Sequence, residues 1–347
     1  MKVEYNWSKI SPKPDDKHGV PCERSSHGLS ILKNGKLIIL HGGEQIARTP
    51  LEESQTTWAA LNENGEWSWK LIQSSSCPPS RVAHAQSVHQ DSVYIFGGRQ
   101  GIAMEEAALS DLWKLDCSGD TFVWQKIEPK GQIPEARSFH KMLCVGSSLY
   151  VFGGCGASGR LADLHRYDIE SNTWYTLPAS NLLRGRGGAN FMTFDSSKYL
   201  GVVAGFCGEE SNDGHLFDIE KGVWQEKDIN NELNGLRPRS VCISASFPSI
   251  GVSLIFGGEV DPSEKGHEGA GGFENDLVFL DEDSAKYQVS HPAPSNESWP
   301  ETRGWSDGAS LDNGDGSGKL YIYGGLSGDD SAPKRLNDLW CLDVKKQ

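Results

Sequence analysis

Between Glu259 and His267 the chain carries four groups that ligate metals or move protons: Glu259, Asp261, Glu264 and His267. Carboxylate plus imidazole with coordination positions left open is a ligand set of catalytic non-haem iron. The same segment, Glu259 to Phe273, holds Gly266, Gly269, Gly271 and Gly272, which let a backbone fold tightly around an ion. A solvated acidic loop is the simpler reading of that composition. A second set of groups stands at equivalent places along the chain. After each apolar run and its glycine come Glu44, Arg99, Cys155, Phe206, Glu259 and Leu326. Charges of both signs beside an aromatic ring, if brought to one focus, suit a small polar molecule better than a repeating structural need. A third set is six arginines, Arg24, Arg81, Arg137, Arg186, Arg239 and Arg303. If they ring one opening they make a funnel for anions; alternatively, each guanidinium fork binds backbone carbonyls of its surroundings.

The elements that must position these groups repeat. Each unit has an Arg opening a strand, an apolar run ending in Gly-Gly, an Asp-Leu before another run, and usually a Trp. The glycine pairs are Gly42-Gly43, Gly97-Gly98, Gly153-Gly154, Gly257-Gly258 and Gly324-Gly325, and the fourth copy keeps Gly205 alone. In the second unit, Arg81 to Val88, Val93 to Phe96, Asp111 to Asp116 and Val123 to Ile127 read as four short strands separated by turns. Val93 to Phe96 is apolar without alternation, which predicts burial on both faces. Third strands are expected near Thr57, Asp111, Asp163, Asp213, Asp276 and Asp338, with each Gly pair stopping the second strand.

A period of about 50 residues is that of the kelch repeat. The whole chain resembles it, which implies an all-β fold, a six-bladed β-propeller in one domain. The blades are expected near residues 20–73, 81–128, 137–178, 186–228, 239–290 and 303–344. The last has no fourth strand of its own. Residues 3–10, with Tyr5-Asn6-Trp7-Ser8-Lys9-Ile10, are similar to Phe122 to Ile127 and are expected to complete it, since an open ring leaves an unpaired edge.

A narrower resemblance spans blades three to six. Gly257-Gly258-Glu259, Gly266-His267 and Glu268 to Gly271 are similar to a loop of the plant nitrile-specifier, epithiospecifier and thiocyanate-forming proteins. So are Phe152 to Leu164, Arg184 to Gly188, Gly205 to Glu210 and Arg303-Gly304-Trp305. The resemblance implies Fe(II) bound through Glu-x-x-x-Asp-x-x-x-His. Glu259 and His267 match its ends, Ser263 stands at its middle, and Asp261 or Glu264 would supply the second carboxylate. It implies a lyase or rearrangement reaction on a small sulfur- or nitrogen-bearing molecule. Arg99, Arg160 or Arg186 would hold an anionic leaving group, and Trp305 or Phe206 would wall the pocket. The alternative is a non-catalytic propeller that binds a peptide or protein. Copper-radical chemistry is disfavoured, because Tyr94, Tyr150 and Tyr321 fall in runs that read as buried.

Composition narrows the rest. A net charge of -14 over 347 residues argues against a nucleic-acid surface. No apolar run has the length of a membrane span or a signal peptide, so a cytoplasmic protein is expected. The eight cysteines include no C-x-x-C pair and are expected to be free thiols. Asn296-Glu297-Ser298 fits a glycosylation acceptor by chance.

Overall fold

The computed structural model describes residues 2–74, 76–101, 108–226, 228–292 and 298–347, apart from the His267 side chain. The Asn296-Glu297-Ser298 triplet falls largely outside them. Six antiparallel sheets form six blades. Their innermost strands are Gly28–Leu32, Ala85–His89, Lys141–Val145, Asn190–Phe194, Ile243–Phe247 and Asp307–Asp312. These six strands neighbour one another in a closed ring around a central channel. All eight cysteines are free. Among the described residues no helix is long and apolar enough to cross a membrane.

Ring closure follows the expectation. Val3–Ile10 pairs antiparallel with Leu339–Lys346, completing the sheet that holds Asp307–Asp312, Ser317–Asp329 and Ala332–Lys346. Trp7, 3% exposed, packs among Phe256, Trp299 and Trp340 between blades five and six.

The Arg–Gly-Gly–Asp pattern is one bonded unit. In blade two the Arg81 guanidinium donates to the Gly97 carbonyl at 2.9 Å and to both Asp111 oxygens at 2.7 and 2.8 Å. Arg137–Asp163, Arg186–Asp213, Arg239–Asp276 and Arg303–Asp338 repeat this. In blade one Thr57 stands where the carboxylate would be, and Arg24 donates to the carbonyls of Cys22, Gly42, Gln55 and Thr56. Burial alone would raise the aspartates. The facing guanidinium overrides it and holds Asp111, Asp163, Asp213 and Asp338 below the ordinary value.

The glycines link blade to blade. The second glycine's N–H donates to the carbonyl of the next blade's Arg: Gly43 to Arg81, Gly98 to Arg137, Gly154 to Arg186, Gly205 to Arg239, Gly258 to Arg303 and Gly325 to Arg24, at 2.8–3.0 Å. A Cβ on the first glycine would meet that carbonyl, at 2.7 Å for Gly97. Ala204, at φ 60, takes the left-handed backbone in the degenerate fourth copy.

One sequence expectation fails. In blades three to six the Gly pair, or Gly205, does not stop the second strand. It bulges and pairing resumes, giving Ser148–Gly156 with Gly159–Asp168, Tyr199–Phe206 with Glu210–Asp218, and Val252–Asp261 with Gly272–Asp281. The same holds for Ser317–Asp329 with Ala332–Lys346. The glycines' positive φ angles redirect the strand rather than break it. The third strands there begin well before the Asp-Leu, and the resulting hairpins stand above one face.

Two outcomes test this frame. Trp7→Ala is expected to cost about 3–5 kcal/mol, the range for truncating a buried aromatic, and removal of residues 1–12 more. An unchanged Tm in denaturation of both variants would show that the ring does not depend on its N-terminal strand. Burial also holds His27, His41, His84 and His140 below the ordinary imidazole value, His84 at about 3. A depressed imidazole gives stability that is complete above the unfolded value near 6.5 and lost as pH falls toward the folded one. The Tm deficit of His84→Gln against wild type is therefore expected to shrink between pH 7.5 and pH 5, as read by paired thermal melts.

Candidate functional site

The channel's mouth is built in two backbone rings. In the outer ring the residue after each Arg exchanges N–H···O bonds with the residue after each Gly pair: Ser25 with Glu44, Val82 with Arg99, Ser138 with Cys155, Gly187 with Phe206, Ser240 with Glu259, and Gly304 with Leu326. The sequence-expected set thus comes to one rim. In the inner ring each N–H donates to the neighbouring blade, from Ser26 to Trp305, Trp305 to Val241, Val241 to Gly188, Gly188 to Phe139, Phe139 to Ala83 and Ala83 to Ser26, at 2.7–3.0 Å. All six take left-handed backbone, φ 47–60. Phe139 and Trp305, from opposite blades, meet edge to face with ring centroids 5.3 Å apart. They floor a bowl.

The bowl is asymmetric. On the side of blades two to four stand Arg99, Cys155, Arg160 and Phe206. Arg160 is exposed and lies 4.5 Å over the Phe206 ring, a cation–π contact. Burial raises the Cys155 thiol, and the nearby Arg160 and Arg99 only partly offset it. Cys155 is therefore no ready thiolate.

Carboxyl groups occupy the side of blades four to six. Glu259 is 8% exposed. Burial lifts it to about 7, against the Ser263 N–H bond that lowers it, and Asp330 adds repulsion. Glu210 is lifted to about 8 by burial, against a hydrogen bond from Ser240, with the Glu259 charge adding to the rise. Ser240 Oγ donates to Glu210 Oε1 at 3.1 Å, while Glu210 Oε2 is buried without a protein partner. The blade-five loop lies close over Glu259, since a Cβ on Gly271 would meet Glu259 Oε1 at 2.7 Å. Between blades six and one, Glu44 accepts from Ser26 Oγ at 3.0 Å and Arg335 donates to Ser25 Oγ at 3.0 Å. Burial raises Glu44, although Arg335 opposes it.

Several sequence-expected roles are corrected. Arg24, Arg81, Arg137, Arg186, Arg239 and Arg303 do not offer their guanidinium groups to the mouth. They are 0–1% exposed and engaged within their own blades. Arg186 thus does not meet a leaving group. Of the metal-loop residues, Glu259 faces inward. Asp261 points to Arg237, with Oδ2 accepting at 2.8 Å, and Glu264 is exposed. Ser263 donates its hydroxyl to Asp330. The His267 side chain lies outside the described residues. Among the described residues, which exclude the His267 side chain, no three His, Cys, Asp or Glu groups converge as a metal set.

Phe139, Glu210, Asp330 and Arg335 were not singled out from sequence. Phe139 sits two residues after an Arg opener, the position that Trp305 holds in blade six, so its signal was present. Glu210 pairs with Phe206 across a short hairpin. Asp330 and Arg335 sit in blade six and reach their partners only through ring geometry.

A family model described as KLHDC2/KLHL20/DRC7 Kelch-repeats domain matches residues 35–258. N-(sulfonatooxy)prop-2-enimidothioate sulfolyase of Thlaspi arvense is 26% identical, over 86% of this chain and 88% of its own. Leucine-zipper-like transcriptional regulator 1 of Pongo abelii is 23% identical, over 82% of this chain and 32% of its own. Host cell factor 2 of Homo sapiens is 31% identical, over 43% of this chain and 19% of its own. The chain thus spans a third or less of those two longer relatives. The solved structure titled "Structure of YjhT" superposes with TM-score 0.67 at 14% identity, over 92% of this chain and 95% of that one, a likeness of fold. With six blades tied by Arg, Gly-Gly and Asp, and a kelch model matching well over half its length, the chain belongs to the kelch-repeat β-propeller family.

Proposed function

We propose that this is a specifier-like kelch propeller whose bowl takes a small anionic molecule bearing sulfur or nitrogen and promotes a lyase or rearrangement step. The carrying observation is a guanidinium set among carboxyls at the rim. Arg160 stacks on Phe206, whose cross-strand partner is Glu210, and Glu210 and Glu259 are held near neutral pKa values over an aromatic floor. Carboxyls tuned to the working pH are suited to donate and accept protons. Arg160 receives the anionic group, Glu259 acts as base, and Glu210 as acid. The plant relative's name supports this choice, since its substrate carries a sulfonatooxy group beside an imidothioate.

No step is routed through iron(II); Asp261 is engaged by Arg237 and Glu264 is exposed. The metal has its own test in anaerobic calorimetry. Saturable one-to-one binding, lost when Glu259→Ala is combined with His267→Ala, would add it to the site. A flat titration would leave the acid–base groups to act alone. The matches to leucine-zipper-like transcriptional regulator 1 and host cell factor 2 favour a second reading, a propeller that binds a protein partner.

Turnover of an N-sulfonatooxy imidothioate decides between these readings. The rate is expected to peak between about pH 7 and pH 8, falling on the acid side as Glu259 protonates and on the alkaline side as Glu210 ionises. Arg160→Ala is expected to raise KM about tenfold or more, as loss of a charge-assisted contact does. Glu210→Gln should remove the alkaline limb of the profile. Absence of both binding and turnover in the folded wild type would leave the protein-binding reading.

A further inference from the structure

Beneath the Phe139–Trp305 floor the inner strands line a partly open channel cavity of about 370 Å³, within the roughly 300–1,000 Å³ of small-molecule sites. Leu29, Met142 and Phe191 give it apolar walls, and Ser30, Gln86 and Ser244 give it polar ones. Arg160, Glu210 and Glu259 do not line it, and it shares only the Phe139–Trp305 floor with the bowl.

Two opposite charges line this cavity. Lys141 begins the inner strand of blade three and Asp307 that of blade six, and blades three and six oppose each other in a ring of six. Asp307 Oδ2 accepts the Leu29 N–H at 2.8 Å. Lys141 Nζ reaches the Cys242 carbonyl at 3.5 Å. An ammonium has three donors, and this one makes a single long bond among the described residues. Burial raises Asp307, although the Lys141 charge pulls it the other way. The lysine is thus near enough to be felt, yet the two form no ion pair among the described residues. Nδ1 of His84 and of His140 is buried with no partner among the described residues, and both residues line the same cavity. Buried polar atoms of this kind are normally satisfied by something that occupies the space.

We propose that the axial channel is a second binding site, for a small zwitterion of the α-amino-acid class. Its carboxylate lies against Lys141 and its ammonium against Asp307. A molecule carrying both charges complements both walls of the channel without adding net charge to a partly buried space.

The test uses the full chain and the twenty common amino acids, first by thermal shift and then by calorimetry, with glycolate and ethylamine as single-charge controls. At least one amino acid is expected to raise Tm and bind one to one, more tightly than either control. Lys141→Met, whose fold is checked by circular dichroism, should weaken it about tenfold or more. Asp307→Asn, which keeps an acceptor for the Leu29 N–H, should do the same. Arg160→Ala, in the bowl, should leave it unchanged, so loss of bowl activity and loss of this site are read separately. No shift with any amino acid on the folded wild type would overturn the proposal, as would full affinity in Lys141→Met.

Discussion

A buried guanidinium organises each blade. Five of the six, themselves buried, bind a carboxylate in two-pronged fashion from the third strand and a carbonyl from the second, a glycine's in four and that of Ala204 in blade four. Removing one partner of such a pair leaves a buried charge alone, at about 3–5 kcal/mol. The same arginine's carbonyl receives the N–H of the preceding blade's glycine. Side chain and backbone of one residue thus fix the inside of a blade and its angle to the next, six times around a closed ring. Blade one keeps the geometry with Thr57 in the carboxylate's place by spreading Arg24 over carbonyls.

The bowl is a consequence of that frame. Because each glycine pair is pinned to the next blade's arginine, the residue after it must emerge at the rim, and the residue two after each arginine must turn left-handed into the mouth. The frame sets these positions without constraining side-chain identity, so the rim can differ from blade to blade while the scaffold stays repetitive. Here the rim holds Arg99, Arg160 and Phe206 in blades two to four, and the carboxyls Glu210, Glu259 and Glu44, the last beside Arg335, in blades four to one. The glycine-rich loop of blade five lies over Glu259 and helps keep that carboxyl out of water.

The strands, the blade count, the closing role of Val3–Ile10 and the rim positions were legible in the sequence. Each depends on local pattern repeated at a fixed period. The extended hairpins of blades three to six were not, because a Gly pair signals a bulge and a stop alike. Nor was the fate of the six arginines, for which funnel and structural tie both fitted the residue type. The metal-loop expectation rested on closeness along the chain and on the resemblance, and neither tells where Asp261 turns. On an extended strand end its carboxylate reached Arg237 instead of Glu259.

What the sequence by itself determined is the repeating unit: Arg, Gly-Gly and Asp suit a buried fork, a left-handed close approach and a facing carboxylate, with Thr57 and Ala204 the two departures. What only the tertiary structure decided is which unlike residues face one another across the ring. The Phe139–Trp305 floor, the Glu210–Glu259 neighbourhood and the opposition of Lys141 to Asp307 join positions tens to more than a hundred residues apart. Their proximity arises from closing six blades around one axis, a constraint that no local stretch of chain contains.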